Sequence, residues 1–369
     1  MFIVGWIIAL VIIVVLVIGV LLFLKSKVFG ALPEEGKYSS SPNYKNGAFR
    51  NLEVTPMMGD KSSAQKMTIF GALWKFLNKP KNTEPPRPIP SVKTDLKNLD
   101  YDSPAIVWFG HSSYLISYKG INILVDPVFS GRTSPVPIGG KEFKGTNYYQ
   151  VEHMPEIDIL ILTHDHYDHL DYKTITELHP KVKKIYTSLG ISPHLLRWGV
   201  SQGKINEMDW NYSENVSENI KLTALTGRHF SGRQFKRNQS LWNSFVLEFF
   251  GYKIYIGGDS GYGKHFKEII SKYGPFDLAL IECAQYGEGW PYIHMTPEQS
   301  YQAAVDIDTK ILFPVHWAKF ALALHPWDEP MHRLLAANKN NDVEITTPMI
   351  GEVVVMDKEL PKSKWWEKV

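Results

Sequence analysis

The stretch Asp158-Ile-Leu-Ile-Leu-Thr-His164-Asp165-His166-Tyr167-Asp168-His169 places an apolar run directly before a dense group of histidines and aspartates. Its branched apolar residues, bounded by polar ones, predict a strand over residues 158–163 that is buried on both faces. Neutral imidazole and carboxylate are the side chains that bind zinc and related divalent ions. Within the six residues 164–169, four such side chains are the candidate ligands, namely His164, His166, Asp168 and His169. The stretch therefore predicts metal binding just past the end of a strand.

The spacing of these side chains allows the segment to serve two ions. In extended backbone His164 and His166 project to the same side, so both can reach one ion, whereas Asp168 and His169 lie further along. Four residues cannot complete two metal sites, and the remaining ligands must come from other strand ends. The alternative is a polar loop with solvated histidines, but such a loop gives no reason for this density of ligands.

Three later strand ends carry side chains of the same kind. His229 follows a predicted strand at 220–226, Asp259 ends a predicted hairpin strand between glycines, and His316 follows a predicted strand at 310–315. Alone, each histidine would be typical of a core or a loop. Their recurrence at successive strand ends indicates an active site at one edge of a sheet sandwich.

Two further polar residues at strand ends each allow two interpretations. Asp126 ends a predicted hairpin strand; it is either a carboxylate that orients a ligating histidine by accepting its free N–H, or a turn residue before Pro127. His111 follows a glycine at a strand end, and we favour a structural role because the metal sites fill without it. The alternation of strands with short helices after residue 170 indicates a layered α/β fold.

Composition excludes several classes of protein. A chain of 369 residues with 44% hydrophobic content can bury a large core, and we expect one α/β hydrolase domain over residues 103–369. The formal net charge of +2 and the lack of a long basic tract exclude a nucleic-acid partner. The single cysteine, Cys283, excludes an internal disulfide and a Cys-rich zinc module, and it fits a reducing compartment.

The amino-terminal region predicts a membrane anchor. Phe2 to Leu24 is an uninterrupted apolar run, long enough to cross a bilayer of roughly 30 Å. A cleaved secretory signal is the alternative, but no basic residue precedes the run and no small-residue cleavage site follows it. Lys25 and Lys27 follow the run directly, so the positive-inside tendency places the catalytic domain on the cytoplasmic side of a single-pass protein.

The segment between anchor and domain has the composition of a linker. Residues 25–102 are rich in Pro, Ser, Asn and Lys, and we interpret them as a linker and an amino-terminal arm. Within it, Met67 to Leu77 is apolar enough for a short helix that packs on the domain or lies on the membrane. Sparse charge on this helix favours packing.

The ligand pattern resembles that of a known family. His164 to His169 spell His-x-His-x-Asp-His, which, with the distal His229, Asp259 and His316, is similar to the metallo-β-lactamase superfamily. Further segments resemble its N-acyl-phosphatidylethanolamine-hydrolysing phospholipase D branch; they are Trp108–Ser112, Asp126–Pro135, Leu241–Ser244 and His316–Ala323. The resemblance implies an αββα four-layer sandwich. The amino-terminal membrane helix departs from the animal members of the branch and leaves the physiological lipid open.

The resemblance also implies roles for individual residues. One ion would be held by His164, His166 and His229 and the second by Asp168, His169 and His316, with Asp259 as a bridge. Asp259 and His294 would be catalytic, and Tyr167 and His294 would contact the substrate head group. From the sequence alone, His294 is also typical of a helix entry, since Thr296-Pro297-Glu298 predicts a helix start.

These residues predict hydrolytic chemistry. Two divalent ions, zinc by donor type although iron and manganese are compatible, lower the pKa of a water between them to near neutrality. The expected reaction is phospholipase D-type hydrolysis of N-acyl-phosphatidylethanolamine or a related phospholipid from the bilayer, releasing phosphatidic acid. One alternative keeps the site and cleaves a lactone, ester or amide. Another alternative is a non-catalytic membrane protein with structural metals. Structural sites usually have four protein ligands for each ion, whereas the ligand count here leaves room for water at each ion, which disfavours this alternative.

Overall fold

Two seven-stranded β-sheets form the centre of the structure, a computed structural model that describes residues 2–56, 79–136, 139–233 and 236–369. The chain begins with helix α1 (Phe2–Leu24), followed by a small hairpin of β1 (Tyr44–Lys45) and β2 (Ala48–Phe49). Helix α1 is long and apolar enough to cross a membrane, by length and composition, and none of its apolar window is buried. The short helix predicted at residues 67–77 lies outside the described residues.

The first sheet contains the strand that precedes the histidine cluster. Its strands are β3 (Ala105–Trp108), β4 (Tyr114–Tyr118), β5 (Ile121–Val125), β6 (Ile157–Leu162), β7 (Val182–Ser188) and β8 (Ile205–Met208). The predicted buried strand at 158–163 is β6, which pairs in parallel with β5 and β7. A parallel strand in the middle of a sheet is covered on both faces, which explains its continuous apolar sequence.

The second sheet is built from the carboxyl-terminal half of the chain. Its strands are β9 (Ser213–Ser217), β10 (Ile220–Thr226), β11 (Asn243–Phe249), β12 (Tyr252–Ile256), β13 (Phe276–Glu282), β14 (Thr309–Val315) and β15 (Glu344–Ile345). Strands β12, β13 and β14 pair in parallel. The last strand, β16 (Val353–Val355), returns to the first sheet and pairs with β3.

The two sheets pack against each other through one hydrophobic core. Trp108 of β3 contacts Phe313 of β14, with ring centroids 6.5 Å apart, and Tyr118 of β4 contacts Phe249 of β11 at 6.2 Å. The helices are α2 (Tyr172–Leu178), α3 (Ser192–Arg197), α4 (His265–Tyr273), α5 (Pro297–Asp306) and α6 (Glu329–Ala337). Helix α5 contacts β13 and β14, and Ile175 of α2 lies in the same core. The predicted mixed α/β fold is confirmed.

The strand directions bring the candidate ligands to one edge of the sandwich. Strands β5, β6 and β7 run parallel, so β5 and β6 end at the same edge of the first sheet. In the second sheet β10 and β12 are both antiparallel to β11, and β12 is parallel to β13 and β14. The residues that follow β10, β12 and β14 therefore also meet at one edge. We call this the metal edge.

Candidate metal centre

The structure brings the predicted ligands together in two adjoining groups at the metal edge. Ligand atoms of His164, His166, His229 and Asp259 all lie within 4.8 Å of one another. A second group with the same spread consists of His111, Asp168, His169 and His316. Residues that are more than 150 positions apart in sequence, such as His164 and His316, therefore line one small volume.

Asp259 lies between the two groups. Its Oδ2 atom is 3.1 Å from Nε2 of His169 in one group and 3.7 Å from Nε2 of His164 in the other. Its Oδ1 atom is 3.2 Å from Nδ1 of His316. Burial alone would raise the pKa of Asp259, but the surrounding imidazoles lower it well below its usual range. An ionised carboxylate in this position can bind two cations at once.

Unpartnered buried atoms show that these residues fit divalent ions. His166 Nε2, His169 Nε2, His316 Nε2 and Asp259 Oδ1 are buried and have no hydrogen-bond partner among the residues that the structure describes. Buried polar atoms are nearly always satisfied, so several such atoms in one place fit the ligation of a cation. Burial also lowers the pKa of His164, His229 and His316 well below the usual value, which keeps their rings neutral, as metal ligation requires.

His169 differs from the other histidines in its electrostatics. Burial alone would lower its pKa, but the carboxylates of Asp259 and Asp168 outweigh burial and raise it well above the usual value. Both carboxylates lie close to its Nε2 atom, at 3.1 and 3.6 Å. This negative field would equally favour a divalent cation at the same place.

Hydrogen bonds on the far side of the rings fix which nitrogen each histidine presents. His169 Nδ1 is 2.8 Å from Asp126 Oδ2, and His229 Nδ1 is 2.8 Å from the carbonyl of Ile293. The Thr163 hydroxyl donates its proton to Asp126, so its oxygen accepts from His164 Nδ1 at 3.0 Å. In all three histidines, Nε2 is therefore the nitrogen left for a metal.

Asp126 acts as a support for the loop His164–Leu170, which we call the metal loop. Besides His169, its carboxylate accepts the backbone N–H of Thr163 at 2.9 Å and the Thr163 hydroxyl at 2.6 Å. These contacts fit the first sequence interpretation of Asp126, a carboxylate that accepts the N–H of a candidate metal ligand, and this role stays a prediction. Asp126 also precedes Pro127 at a strand end, so the turn position and the orienting role coincide.

His111 lies within the second group rather than apart from it. Its Nε2 atom is 2.9 Å from Asp168 Oδ2, and its ring centroid is 4.0 Å from that of His316. The backbone of His111 is also bridged to Trp317, which follows His316. The sequence favours a structural role for His111, and in the structure its ring contacts Asp168, a candidate ligand.

His294 borders both groups and is held by a carboxylate that sequence analysis did not select. The His294 ring lies 5.0 Å from the ring of His229 and 5.2 Å from that of His316. Its Nδ1 atom is 2.7 Å from Oε2 of Glu282, a fully buried residue whose Oε1 atom accepts the backbone N–H of Ser260. Burial alone would lower the pKa of His294, but the Glu282 carboxylate raises it. Glu282 ends β13 at the metal edge, so the strand-end rule that selected Asp259 would also have found it.

Tyr167 lies at the border of the centre, beside Arg233. Its hydroxyl donates to the carbonyl of Arg233, and the Arg233 guanidinium lies 4.0 Å from the centroid of its ring. Tyr167 is only partly buried, as are His166, Phe230 and His294. Because solvent reaches each of these four side chains in part, we call them together the opening of the metal centre.

A mixed α/β sandwich with two histidine and aspartate groups at one strand edge defines a metal-dependent hydrolase. The chain belongs to the metallo-β-lactamase superfamily: residues 121–317 match the beta-lactamase superfamily domain. Within it, the chain falls in the branch that resembles N-acyl-phosphatidylethanolamine-hydrolysing phospholipase D. The resemblance noted from the sequence is confirmed.

Individual relatives agree with this placement. The chain is 37% identical over 330 residues to the uncharacterized protein Rv0906 of Mycobacterium tuberculosis, covering 88% of this chain and 87% of that protein. It is 27% identical over 264 residues to N-acyl-phosphatidylethanolamine-hydrolyzing phospholipase D 1 of Caenorhabditis elegans, covering 67% and 74%. The fold is similar to that of Igni18, a metallo hydrolase from Ignicoccus hospitalis, with a TM-score of 0.53, 17% identity and coverage of 70% and 100%.

Proposed function

We propose that this protein is a membrane-anchored hydrolase with two divalent metal ions, acting as a phospholipase D-type phosphodiesterase on N-acyl-phosphatidylethanolamine or a related phospholipid. The observation that carries the proposal is the position of Asp259 between two groups of buried histidines. The similarity to the Caenorhabditis elegans enzyme, together with the apolar helix α1, supports a bilayer lipid as the substrate class.

The residues divide naturally between two ions. His164, His166 and His229 would hold one, Asp168, His169 and His316 the other, and Asp259 would bridge them. Donor type favours zinc. When bound, the ions would supply Lewis acidity and lower the pKa of a water to near neutrality.

The remaining polar residues at the opening suit a phosphodiester. Glu282 occupies Nδ1 of His294, so Nε2 is left for a phosphate oxygen or for the oxygen of the leaving alcohol. A histidine beside a buried carboxylate retains a proton more readily, and a charged donor binds a phosphate oxygen more strongly than a neutral one. In this proposal His294 binds the phosphate, Glu282 orients His294, and Tyr167 borders the head group.

We also propose that the chain consists of an anchor, an arm and a hydrolase domain, and that the domain lies on the cytoplasmic side of the membrane. Residues 2–24 would form the membrane anchor, 25–102 a juxtamembrane arm, and 103–369 the hydrolase domain. Lys25 and Lys27 directly after α1 support a cytoplasmic position of the domain in a single-pass protein. The extensive contacts of residues 25–31 with the domain, described below, support retention of this segment in the mature protein.

The test is a product assay on purified full-length protein in lipid vesicles. We expect release of phosphatidic acid from N-acyl-phosphatidylethanolamine, loss of activity with a chelator, and recovery with zinc, manganese or iron(II) measured separately. A long-chain acyl lactone serves as the competing substrate. Turnover of the lactone alone would assign the site to ester-type hydrolysis, and no metal-dependent turnover of either substrate would contradict a hydrolytic role.

A further inference from the structure

The end of helix α1 is bonded directly to the catalytic domain. Three carbonyls just after α1 accept hydrogen bonds from side chains of the domain. Arg197 Nη2 donates to the carbonyl of Lys25 at 2.5 Å, Trp198 Nε1 to that of Lys27 at 2.6 Å, and Arg233 Nη2 to that of Val28 at 3.0 Å. We call residues 25–31 the collar. Its backbone is therefore fixed to the domain from the first residue after the apolar helix.

The collar is also fitted closely to a buried histidine. Gly30 has φ +70°, and a Cβ atom at this position would lie 2.0 Å from Nδ1 of His194. The same nitrogen accepts the backbone N–H of Ala31 at 3.1 Å. On its other side, His194 Nε2 is 3.7 Å from Oδ2 of Asp165 in the metal loop. Only glycine combines this backbone angle with this approach.

Arg233 joins the collar to the metal loop through one side chain. It is only 4% exposed. While Nη2 donates to the collar, Nη1 donates to the carbonyls of Asp165, at 2.9 Å, and Leu170, at 2.5 Å, at the two ends of the metal loop. Its guanidinium also lies over the rings of Tyr167 and Trp198. A planar group that bonds three carbonyls and stacks on two rings fixes relative orientation as well as distance.

These contacts place the exit of α1 beside the metal loop. Tyr167 of the metal loop packs its ring under Arg233, and it is also one of the four partly buried side chains of the metal centre. Lys25 and Lys27 of the collar are exposed directly after the apolar helix, where lysines would meet lipid phosphates. A flexible linker would let the domain turn in any direction, whereas the collar leaves little freedom between the apolar helix and the metal loop.

We propose, relying on the anchor and the lipid substrate proposed above, that the collar holds the metal edge against the bilayer entered by α1. The centre then takes its amphiphilic substrate from that bilayer rather than from water. Tethering alone raises the local concentration of substrate, and a fixed orientation converts this into productive encounters.

The first test inserts a flexible Gly-Ser segment of about six residues between Leu24 and Lys25, which leaves the collar bonded but frees α1 from it. We expect hydrolysis of N-acyl-phosphatidylethanolamine in the same vesicle to fall about tenfold, with hydrolysis of a short-chain, water-dispersed analogue unchanged. The control is the same insertion between Asn340 and Asn341, an exposed loop. Equal rates on vesicle substrate for wild type and the Leu24 insertion would overturn the proposal.

A point variant tests the collar without changing chain length. The double substitution Arg197→Gln with Trp198→Phe shortens the first donor, removes the second and retains an aromatic ring. We expect a smaller loss, about threefold, confined to vesicle substrate. Arg87→Gln is the matched control, because Arg87 is an exposed arginine that donates to the carbonyl of Lys368 far from the collar. An equal loss in the control would contradict a specific role.

A distance measurement tests orientation without any activity. The full-length protein in vesicles carries a nitroxide on Pro291→Cys, an exposed position three residues before His294, or on Lys119→Cys, at the exposed tip between β4 and β5 on the opposite edge. The native Cys283 is buried. With a gadolinium-chelating lipid, we expect faster relaxation at 291 than at 119, and loss of the difference in the Leu24 insertion. Equal relaxation at the two positions would overturn the proposed orientation by the collar. Unequal relaxation without any hydrolysis of the phospholipid would support the orientation and contradict the proposed lipid substrate.

Discussion

The metal loop of the first sheet and the scattered ligands of the second sheet differ in how their positions are secured. The metal loop carries four candidate ligand side chains on one short segment. Buried charged groups hold the loop: Asp126 bonds His169 and Thr163, and Arg233 bonds the carbonyls at its two ends. The second sheet supplies His229, Asp259 and His316 one at a time. Their supports are weaker, a backbone carbonyl for His229 and the Ser112 hydroxyl for His316.

The two halves of the metal centre therefore depend on different contacts for their final positions. Asp126 supports the metal loop from within the first sheet, and Arg233, from the segment after β10, adds a contact from the second sheet. The second half reaches its place only when the sheets pack together, as in the hydrogen bond from Asn243 of β11 to the carbonyl of Thr163 beyond β6. Asp259 is where the halves meet, so we expect the largest effect there and smaller ones at the supports on either side.

Asp259→Asn should have the largest effect, because it removes the one charge shared by both groups. We expect kcat to fall about a thousandfold or more, equivalent to roughly 4 kcal/mol, with metal content below two ions per chain. Activity and metal analysis of the folded variant check this. The control is Asp277→Asn, at the start of β13 and the opposite edge, where the carboxylate accepts the N–H of Lys253. Retention of full activity by Asp259→Asn would defeat the proposed mechanism.

Asp126→Asn tests the support of the metal loop. An amide cannot accept hydrogen bonds at both positions as the carboxylate does, and the ring of His169 loses its charged partner. We expect metal affinity or activity to fall about 10–100-fold, the usual cost of losing such an outer contact. Asp158→Asn is the matched control, since Asp158 lies in β6 at the other edge, where it pairs with Lys183. An effect no larger than that of the control would mean that the metal loop is secured without Asp126.

Ser112→Ala tests the corresponding support in the second half. The Ser112 hydroxyl is 3.0 Å from Nδ1 of His316, and its loss removes one neutral hydrogen bond. We expect a fall of about three- to tenfold in metal affinity or activity, equivalent to roughly 1 kcal/mol. The control is Ser117→Ala, which removes a hydroxyl of β4 that donates to Asn122 of β5. A loss greater than that of Asp126→Asn would reverse the proposed difference between the two halves.

His265→Gln should have the smallest effect, visible in the pH dependence of stability. His265 begins α4, and its Nε2 atom is 3.2 Å from the hydroxyl of Ser260, next to Asp259. Burial lowers the pKa of His265 to about 4. Since this folded value lies below the unfolded value of about 6.5, the stability present above that pH is lost as the pH falls.

For His265 the expected loss between pH 7 and pH 6 is about 0.7 kcal/mol in the free energy of unfolding. Urea unfolding of chelator-treated protein at both pH values measures it without interference from metal release. The glutamine variant should lack this part of the pH dependence. If the free energy of unfolding depends on pH equally in both proteins, His265 does not contribute to the acid sensitivity.

The sequence was sufficient for the fold class because the signal was dense and local. Four ligands within six residues after a buried strand indicate a strand end, and the recurrence of histidine and aspartate after later strands indicates a shared edge. Glu282 also ends a buried strand and satisfies the same rule, but its function is to bond His294 rather than to join either ligand set, so counting ligands does not require it. His111 was set aside because the ligand count appeared complete without it, although orienting residues are not part of that count.

The collar could not have been predicted from composition. Residues 25–102 have the composition of a linker, yet the collar contacts Arg197, Trp198 and Arg233 through its own backbone carbonyls. Every residue carries a carbonyl, so such contacts leave no signature in the residue types of the segment itself. Only the left-handed Gly30 and the aromatic Phe29 distinguish the collar, and both are common in loops.

The bond between Arg233 and Val28 decides where the chain can be shortened. Truncation at Leu24 would remove the apolar helix and keep all three carbonyl acceptors of the collar. Removal of residues 1–31 would deprive the buried guanidinium of Arg233 of one acceptor, the carbonyl of Val28. We expect this to lower the free energy of unfolding by roughly 1–3 kcal/mol, and Arg233 lies beside the metal loop that it supports. A water-soluble form intended for crystallisation should therefore start at Lys25.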